Sequence, residues 1–416
     1  MRSSPVWFIL AGLMVLFDFY VFQIIKSVSY SASSKTRSII YISYWTISAA
    51  ALIILFVLPL FHFNNYSRSV RSTVFAIAIG LFLAKLVASV FFLVDDMRRG
   101  MQWLAGKFFF RNTEGEQMQG EDKISRSVFL NWLGLAAGGT LFTSLVYGFS
   151  NKYNYKVKKI SLKYPNLPSA FRGLKIVQIS DIHCGSFTNK HAVQKGVEKV
   201  LQLQPDLILF TGDLINNRAD EMLEYMDVFN QIKAPMGVYS TLGNHDYGDY
   251  TEWPSQAAKK QNLERLRQVH AEIGWRLLMN ENVVIEKEGQ QIAVIGVENW
   301  SAKARFPKYG KLSQAYAGTE SIPFKILMSH DPSHWDAEVR PHYGDIDLML
   351  AGHTHGMQFG VETPWFKWSP VQYVYKQWAG LYEQGAQKLY VNRGFGFIGY
   401  PGRVGILPEI TLIEMR

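Results

Sequence analysis

The chain has a single cysteine, Cys184, in 416 residues. An internal disulfide framework and a cysteine-based zinc site are therefore excluded. Cys184 follows His183 directly, but a lone small thiol is most simply a poorly exposed apolar group, and no role is assigned to it. There is also no internal repeat and no low-complexity tract. The C-terminal part lacks any surplus of positive charge: residues 161–416 hold 26 basic and 27 acidic side chains. The net charge of +9 arises upstream, where residues 1–127 carry 13 Lys/Arg against 7 Asp/Glu and residues 128–160 carry four lysines and no acid. Overall basicity thus gives no support to nucleic-acid binding, and no nucleic-acid partner is expected.

Long apolar runs are abundant at the N-terminus. Residues 6–25, 39–61, 73–94 and 128–149 each reach the ~20 residues that cross a bilayer as a helix. Asp18 and Lys85 interrupt the first and third runs and are candidates to face each other across a bundle, with snorkelling or a water-filled crevice as the alternatives. The loops at 26–38 and 95–127 together hold nine Lys/Arg (Lys26, Lys35, Arg37, Arg98, Arg99, Lys107, Arg111, Lys123 and Arg126), against Arg2, Arg68 and Arg71 on the other side. That asymmetry predicts cytoplasmic basic loops and an extracytoplasmic domain after residue 150. A cleaved signal at Ser31-Ala32-Ser33 would put the richest basic loop outside and is rejected. Ser125-Arg126-Ser127-Val128-Phe129-Leu130 resembles a twin-arginine signal with only one arginine. The stretch 98–111 mixes basic and aromatic residues, and reads either as a segment lying on the inner membrane surface or as an extension of the third span.

After the linker lysines Lys152, Lys156, Lys158 and Lys159 the pattern changes to short apolar runs alternating with helical periodicity, so the expectation is an α/β domain over 151–416 behind a helical transmembrane region over 1–150. Strands are expected at 155–162, 175–180, 207–211, 237–241, 292–297, 325–329, 347–351, 388–392 and 409–414, with helices at 190–203 and 256–273. Five of these runs end in a polar cluster. Asp181-Ile182-His183 follows the second, Gly212-Asp213 the third and Gly243-Asn244-His245-Asp246 the fourth. His330-Asp331 and Gly352-His353-Thr354-His355 follow two later ones. The carboxyl ends of strands in α/β sheets are where ligands gather. Asp181, His183, Asp213, Asn244, His330, His353 and His355 form a mixed O/N donor set suited to Mn, Fe, Zn or Co. Seven donors exceed what one ion needs, and two ions sharing a carboxylate would use them all. A bridging hydroxide would then serve as nucleophile toward phosphorus. His245 is left free to protonate a leaving oxygen, with Asp246 in place to orient it. His62, His191, His270, His334 and His342 fall outside the pattern and read as structural or surface residues.

These motifs resemble the calcineurin-like metallophosphoesterase superfamily, whose pattern is D-x-H, G-D, G-N-H-[DE], a later H, and G-H-x-H. The resemblance covers roughly residues 154–416 and implies a four-layer sandwich of two mixed sheets flanked by helices. It assigns Asp181, His183, Asp213 and His355 to one divalent ion and Asp213, Asn244, His330 and His353 to a second. His245 matches the family's catalytic histidine. Gly352 to Gln358 and the C-terminal Asn392-Arg393-Gly394 and Pro408-Glu409-Ile410-Thr411 are similar to a bacterial membrane-anchored or exported branch. That branch carries Gly-Gly-Gln after the histidines, where this chain has Gly356-Met357-Gln358. Some of its members are UDP-2,3-diacylglucosamine pyrophosphatases and others phosphodiesterases. The resemblance also offers Arg393 as a phosphate contact, with a structural salt bridge as the alternative.

Trp365, Phe366, Trp368, Tyr373, Tyr375, Trp378 and Tyr382 crowd just after the last motif. They read as a packed subdomain core, or as a pocket wall or membrane-facing rim beside the metals. The expected partners are a phosphorylated substrate, lipid-linked on the second reading, and membrane lipid. Two functions from other classes remain beside the hydrolase: a receptor or scaffold using the fold as a binding module, and transport through the spans.

Overall fold

A computed structural model describes residues 5–57, 68–109 and 126–416. The chain divides into two compact units at Tyr147/Gly148.

Among the described residues the N-terminal unit holds four helices long and apolar enough to cross a membrane. They are α1 (Pro5–Val28), α2 (Ser34–Leu52, continued by a π-turn to Val57), α3 (Arg68–Phe109) and α4 (Arg126–Gly148). Ser33 caps α2 by accepting the Thr36 N–H. Residues 58–61 of the second expected span lie outside the described residues, as do His62, Arg111 and Lys123. α3 runs unbroken through Arg98 and Arg99 to Phe109, so the basic-aromatic stretch there extends the third helix. Asp18 and Lys85 do meet: the Lys85 ammonium donates to the Asp18 carboxylate and, at 2.6 Å, to the Ser48 hydroxyl. All three are buried.

The C-terminal unit is built on fourteen short strands. β1 (Lys156–Leu162) is followed by β2 (Lys175–Ile179), α5 (Lys190–Gln202), β3 (Leu207–Phe210), the single turn α6 (Met226–Phe229) and β4 (Val238–Ser240). Then come α7 (Gln256–Glu272), β5 (Arg276–Leu277), β6 (Glu281–Lys287), β7 (Gln290–Gly296), α8 (Leu312–Tyr316) and β8 (Lys325–Met328). The short α9 (Arg340–His342), β9 (Leu348–Ala351), a hairpin of β10 (Val361–Glu362) and β11 (Lys367–Trp368), β12 (Gly380–Gln384), β13 (Gln387–Val391) and β14 (Glu409–Met415) complete it. Two six-stranded sheets result, ordered β1-β14-β2-β3-β4-β5 and β12-β13-β9-β8-β7-β6. Each is mixed: β2, β3, β4 and β5 run parallel, as do β7, β8, β9 and β13, with antiparallel pairing at β14/β2, β6/β7 and β12/β13.

The period-two alternation of strand side chains decides the layering. Leu207 and Leu209 of β3 meet Ile326 and Met328 of β8 and Leu348 and Leu350 of β9 between the sheets. The alternate residues Ile208 and Phe210 face Val193, Val197 and Val200 of α5 and Leu266 and Val269 of α7. On the far side Leu327 and Met349 pack on Leu312 and Trp335. Helices, sheet, sheet, helices: this is the four-layer arrangement. All nine expected strands and both expected helices are present. β5, β6, β10, β11 and β12 are additional.

Candidate metal centre

The parallel strands of both sheets deliver their carboxyl ends to one place. β2, β3 and β4 are neighbours in the first sheet and β8 and β9 in the second, so their following loops converge. Gln178 of β2 crosses between the sheets, donating to the Ala351 carbonyl of β9 at 2.9 Å and to the Thr211 hydroxyl at 3.1 Å.

The loops leave the strands by sharp turns. Asp181, His183, Asp213, His353 and His355 all have positive φ, between 48° and 71°. For residues other than glycine that region costs of order 1 kcal/mol or more each, and it persists where surroundings enforce it. Close packing does so here. A Cβ on Gly243 would lie 2.2 Å from an Asp213 carboxylate oxygen, and one on Gly352 would lie 2.2 Å from Asp181. Only glycine fits at either position.

Two groups of potential ligands result: Asp181, His183 and His355, and Asp213, His330 and His353. Asp213 Oδ2 links them, 3.5 Å from His183 Nε2 and 3.1 Å from His330 Nε2. His355 Nε2 lies 3.2 Å from Asp181 Oδ1 and 3.0 Å from His183 Nε2. His353 turns Nδ1 toward His330 Nε2, at 3.3 Å. Asn244 brings a buried Oδ1 that has no hydrogen-bond partner. Six of the seven expected donors thus fall in the two groups, and the seventh, Asn244, precedes His245, whose backbone N–H donates to Asp213 at 2.8 Å.

Their electrostatics call for a cation. Burial holds His183, His353 and His355 below the ordinary histidine range, so each offers a lone pair. Burial also opposes charge on His330, but Asp213 and Asp181 outweigh it and raise that imidazole to about 10. Carboxylates that draw a proton onto one histidine while three others stay neutral, beside an orphaned amide oxygen, fit divalent metal ions.

Supporting contacts fix the ring orientations. His330 Nδ1 donates to the Thr211 carbonyl at 2.7 Å, leaving Nε2 for the site. His353 Nε2 meets the Tyr375 hydroxyl at 2.9 Å, and Tyr375 in turn donates to Asp331 at 3.1 Å. Tyr250 accepts from the Asn244 amide nitrogen at 2.9 Å, which turns Oδ1 inward. Arg403 is fully buried; its guanidinium lies 3.1 Å from His355 Nδ1 and donates to the His355 and Arg393 carbonyls at 3.2 and 2.7 Å. Tyr250, Asp331 and Arg403 are not singled out as site residues by the sequence, and of these only Asp331 carries a signal, by following a motif histidine; Tyr375 belongs to the aromatic stretch offered as a pocket wall.

His245 is half-buried at the edge of the site, its ring 4.9 Å from that of His183. Its Nδ1 lies 2.9 Å from the Asn216 carbonyl, which can only accept. The proton therefore sits on Nδ1 in the neutral ring, and Nε2 is left for chemistry. The expectation that Asp246 orients His245 is overturned. The Asp246 carboxylate accepts the backbone N–H groups of Gly243, Asp213, Leu214 and Ile215 at 2.8, 2.9, 2.9 and 3.3 Å. Burial and the adjacent Asp213 push it up to about 7, against the pull of those donors. Asp246 is the clasp of the β3 and β4 loops; Asn216 orients the imidazole.

Arg393 takes the salt-bridge alternative, pairing with Glu409 and with Glu362 at 2.8 Å. His270 and His334 are buried structural residues bonded to Ser240 and Ser329, His191 and His342 are exposed, and Cys184 is buried. The aromatic stretch splits: Tyr375 and Trp378 pack with Val371, Ala379 and Ile406, whereas Trp365, Phe366 and Tyr373 are exposed.

Comparison with known proteins agrees with this geometry. Residues 174–357 match the family described as "Calcineurin-like phosphoesterase", and residues 1–152 match "Probable Calcineurin-like phosphoesterase, transmembrane domain". The chain is 29% identical over 278 residues to a "Transmembrane protein with metallophosphoesterase domain" of Danio rerio, covering 65% of this chain and 60% of that protein. It is 29% identical over 306 residues to the "Uncharacterized metallophosphoesterase YkuE" of Bacillus subtilis, covering 71% of this chain and 98% of the relative. A "UDP-2,3-diacylglucosamine pyrophosphatase LpxG" of Chlamydia muridarum is 24% identical over 291 residues, covering 58% of this chain and 83% of that one.

Proposed function

Because the chain belongs to the calcineurin-like metallophosphoesterase superfamily, we propose that it hydrolyses a phosphoester or pyrophosphate bond of a lipid-linked substrate on the extracytoplasmic side of a membrane. The observation that carries the reading is Asp213 Oδ2, within reach of imidazole nitrogens from both ligand groups. Asp181, His183, Asp213 and His355 would hold one divalent ion, and Asp213, Asn244, His330 and His353 the other. Such ions, when bound, supply Lewis acidity toward phosphoryl oxygens and lower the pKa of water.

The chain's own groups do the rest. His245, fixed through Nδ1 by the Asn216 carbonyl, acts as the imidazolium: its second proton, on Nε2, passes to the leaving oxygen, and the ring is left neutral with the proton on Nδ1. Tyr375 and Asp331 hold the His353 ring in register. The lipid-linked substrate is supported by the four apolar helices and by the printed activity of the Chlamydia relative. The extracytoplasmic side is supported by the nine basic residues of alternate loops.

The test is hydrolysis of bis-p-nitrophenyl phosphate by the full chain in detergent with Mn, before and after chelation. Asp213→Asn is expected to cut turnover by about 10³-fold or more, since the shared ligand is damaged. His245→Ala should cost about 10²-fold or more through the lost proton donor. Turnover that survives both chelation and Asp213→Asn overturns the reading.

A further inference from the structure

The exposed half of the aromatic stretch is not absorbed by the metal site. The β10–β11 hairpin turns through Thr363-Pro364-Trp365-Phe366, closed by the Thr363 N–H to the Phe366 carbonyl at 2.8 Å and the Phe366 N–H to the Thr363 hydroxyl at 3.0 Å. This ordered turn holds its apolar side chains outward: Trp365 is 92% exposed and Phe366 58%. Tyr373, 77% exposed, and Val374 stand in the segment that follows, with Met357 and Val361 exposed just before. Large apolar side chains grouped this way mark an interaction surface. The hairpin is also firmly rooted. Glu362 accepts from Arg393 at 2.8 Å and Lys158 at 3.1 Å, and the Ser369 hydroxyl donates to the Gly356 carbonyl at 2.9 Å.

Two observations within the C-terminal unit say what covers it. The first is where the chain enters. Gly148, the last residue of α4, accepts from the Arg403 N–H at 2.9 Å, and Val404 beside it exchanges backbone hydrogen bonds with Gln358 and Gly360 at 2.8 and 2.9 Å. Those are the residues that lead into β10. Gly148, the first residue of this unit, is therefore tied in at the root of the hairpin. The second is residue type. Trp and Tyr are the side chains of a bilayer interface, and Phe buries apolar surface beside them; cations accompany them, since Lys376 is exposed and Lys303 Nζ lies 5.3 Å from the Tyr375 ring.

We propose that the β10–β11 hairpin and the adjoining Tyr373-Val374 dip into the headgroup layer of the bilayer, as a lipid contact separate from the membrane-spanning helices. The hairpin is bracketed by the metal centre, with His355 before it and Tyr375, which bonds His353, after it. Insertion at Trp365 would set the ligand loop at headgroup depth, where the phosphate of a membrane lipid lies. Only the kinetic consequence rests on the phosphoesterase reading; the insertion itself does not.

The test places a nitroxide at Val374→Cys in the full chain reconstituted into phosphatidylglycerol/phosphatidylcholine vesicles. Wild type, whose one cysteine is buried, supplies the background, and Leu223→Cys, exposed on a different loop, the aqueous control. The expected result is collision with oxygen favoured over a water-soluble nickel chelate at residue 374, with the reverse at residue 223. Equal chelate access at both positions overturns the proposal. So does spin–spin broadening at residue 374, which would make the hairpin a contact between two copies. In a second arm, Trp365→Ala with Phe366→Ala should lower turnover of a vesicle-borne phospholipid diester about tenfold, with bis-p-nitrophenyl phosphate turnover held within about twofold. Equal loss on both substrates also overturns it. Absence of any hydrolysis by wild type would refute the proposed function and leave the nitroxide result to decide the insertion.

Discussion

Two of the places where the protein buries charge differ in balance. In the membrane unit Lys85 and Asp18 are one cation and one anion, each further satisfied: Lys85 by the Ser48 hydroxyl and the Tyr44 ring at 4.9 Å, and Asp18 by Tyr44. In the C-terminal unit two carboxylates and four imidazoles crowd together with an orphaned Asn244 oxygen. The first cluster is closed, with donors and acceptors matched. The second is short of positive charge. A balanced buried pair sets the register of helices, whereas an unbalanced one is a place for a ligand.

The largest expected effect separates the two clusters directly. Saturating Mn should stabilise the C-terminal unit by about 4 kcal/mol at a thousandfold excess over the dissociation constant. Hydrogen–deuterium exchange on the full chain would read this as protection of peptides from β2 through β9, with those from α1 to α4 unchanged. Protection spread over both units, or absent from both, breaks the comparison. Next comes Lys85→Ala, which leaves Asp18 buried and unpaired at a cost of about 3–5 kcal/mol in resistance to denaturation. Asp18→Ala in the same chain should restore a large share of it. Turnover of a soluble diester should follow neither change; a loss of turnover in proportion to stability would make the pair part of the catalytic apparatus.

The two clusters were unequally legible in the sequence, for physical reasons. The metal ligands stand after strands buried on both faces, and an unbroken apolar run such as Leu207–Phe210 followed by Thr-Gly-Asp marks both strand and site. Asp18 and Lys85 were visible because charge inside an apolar run is conspicuous. Strands half-exposed at a sheet edge, such as β6 and β12, or two residues long, such as β5, leave no such pattern. Arg403 and Tyr375 reach the ligands from distant loops that no spacing rule connects. Asp246 was misassigned because neighbours in sequence are not neighbours in space: the turn after β4 sends its carboxylate back onto backbone N–H groups and away from His245.

That correction has its own consequence. Asp246→Asn keeps the shape but replaces one acceptor oxygen with an amide donor facing N–H groups, at a cost of about 1–3 kcal/mol. Unfolding in denaturant should show the loss, and added Mn should recover part of it by holding Asp213 in place. Had Asp246 oriented His245, the same variant would act on turnover under saturating metal with stability intact. That outcome would restore the original assignment.

The smallest expected effect lies at Met357, where the related branch has glycine. Its φ is 56° and its side chain is exposed, so it keeps a glycine-like backbone conformation without burial to compensate. The left-handed conformation costs a residue with a Cβ about 1–2 kcal/mol, and glycine returns about 0.4–1 kcal/mol of that through a freer unfolded chain. Met357→Gly should therefore stabilise the C-terminal unit by about 0.5–1 kcal/mol. Met357→Val, β-branched and disfavoured at positive φ, should destabilise it. Neither change touches the balanced pair in the membrane unit, so exchange in α1 and α3 should stay as in wild type. If glycine and valine shift stability in the same direction, the side chain at 357 acts through contacts and the backbone account fails.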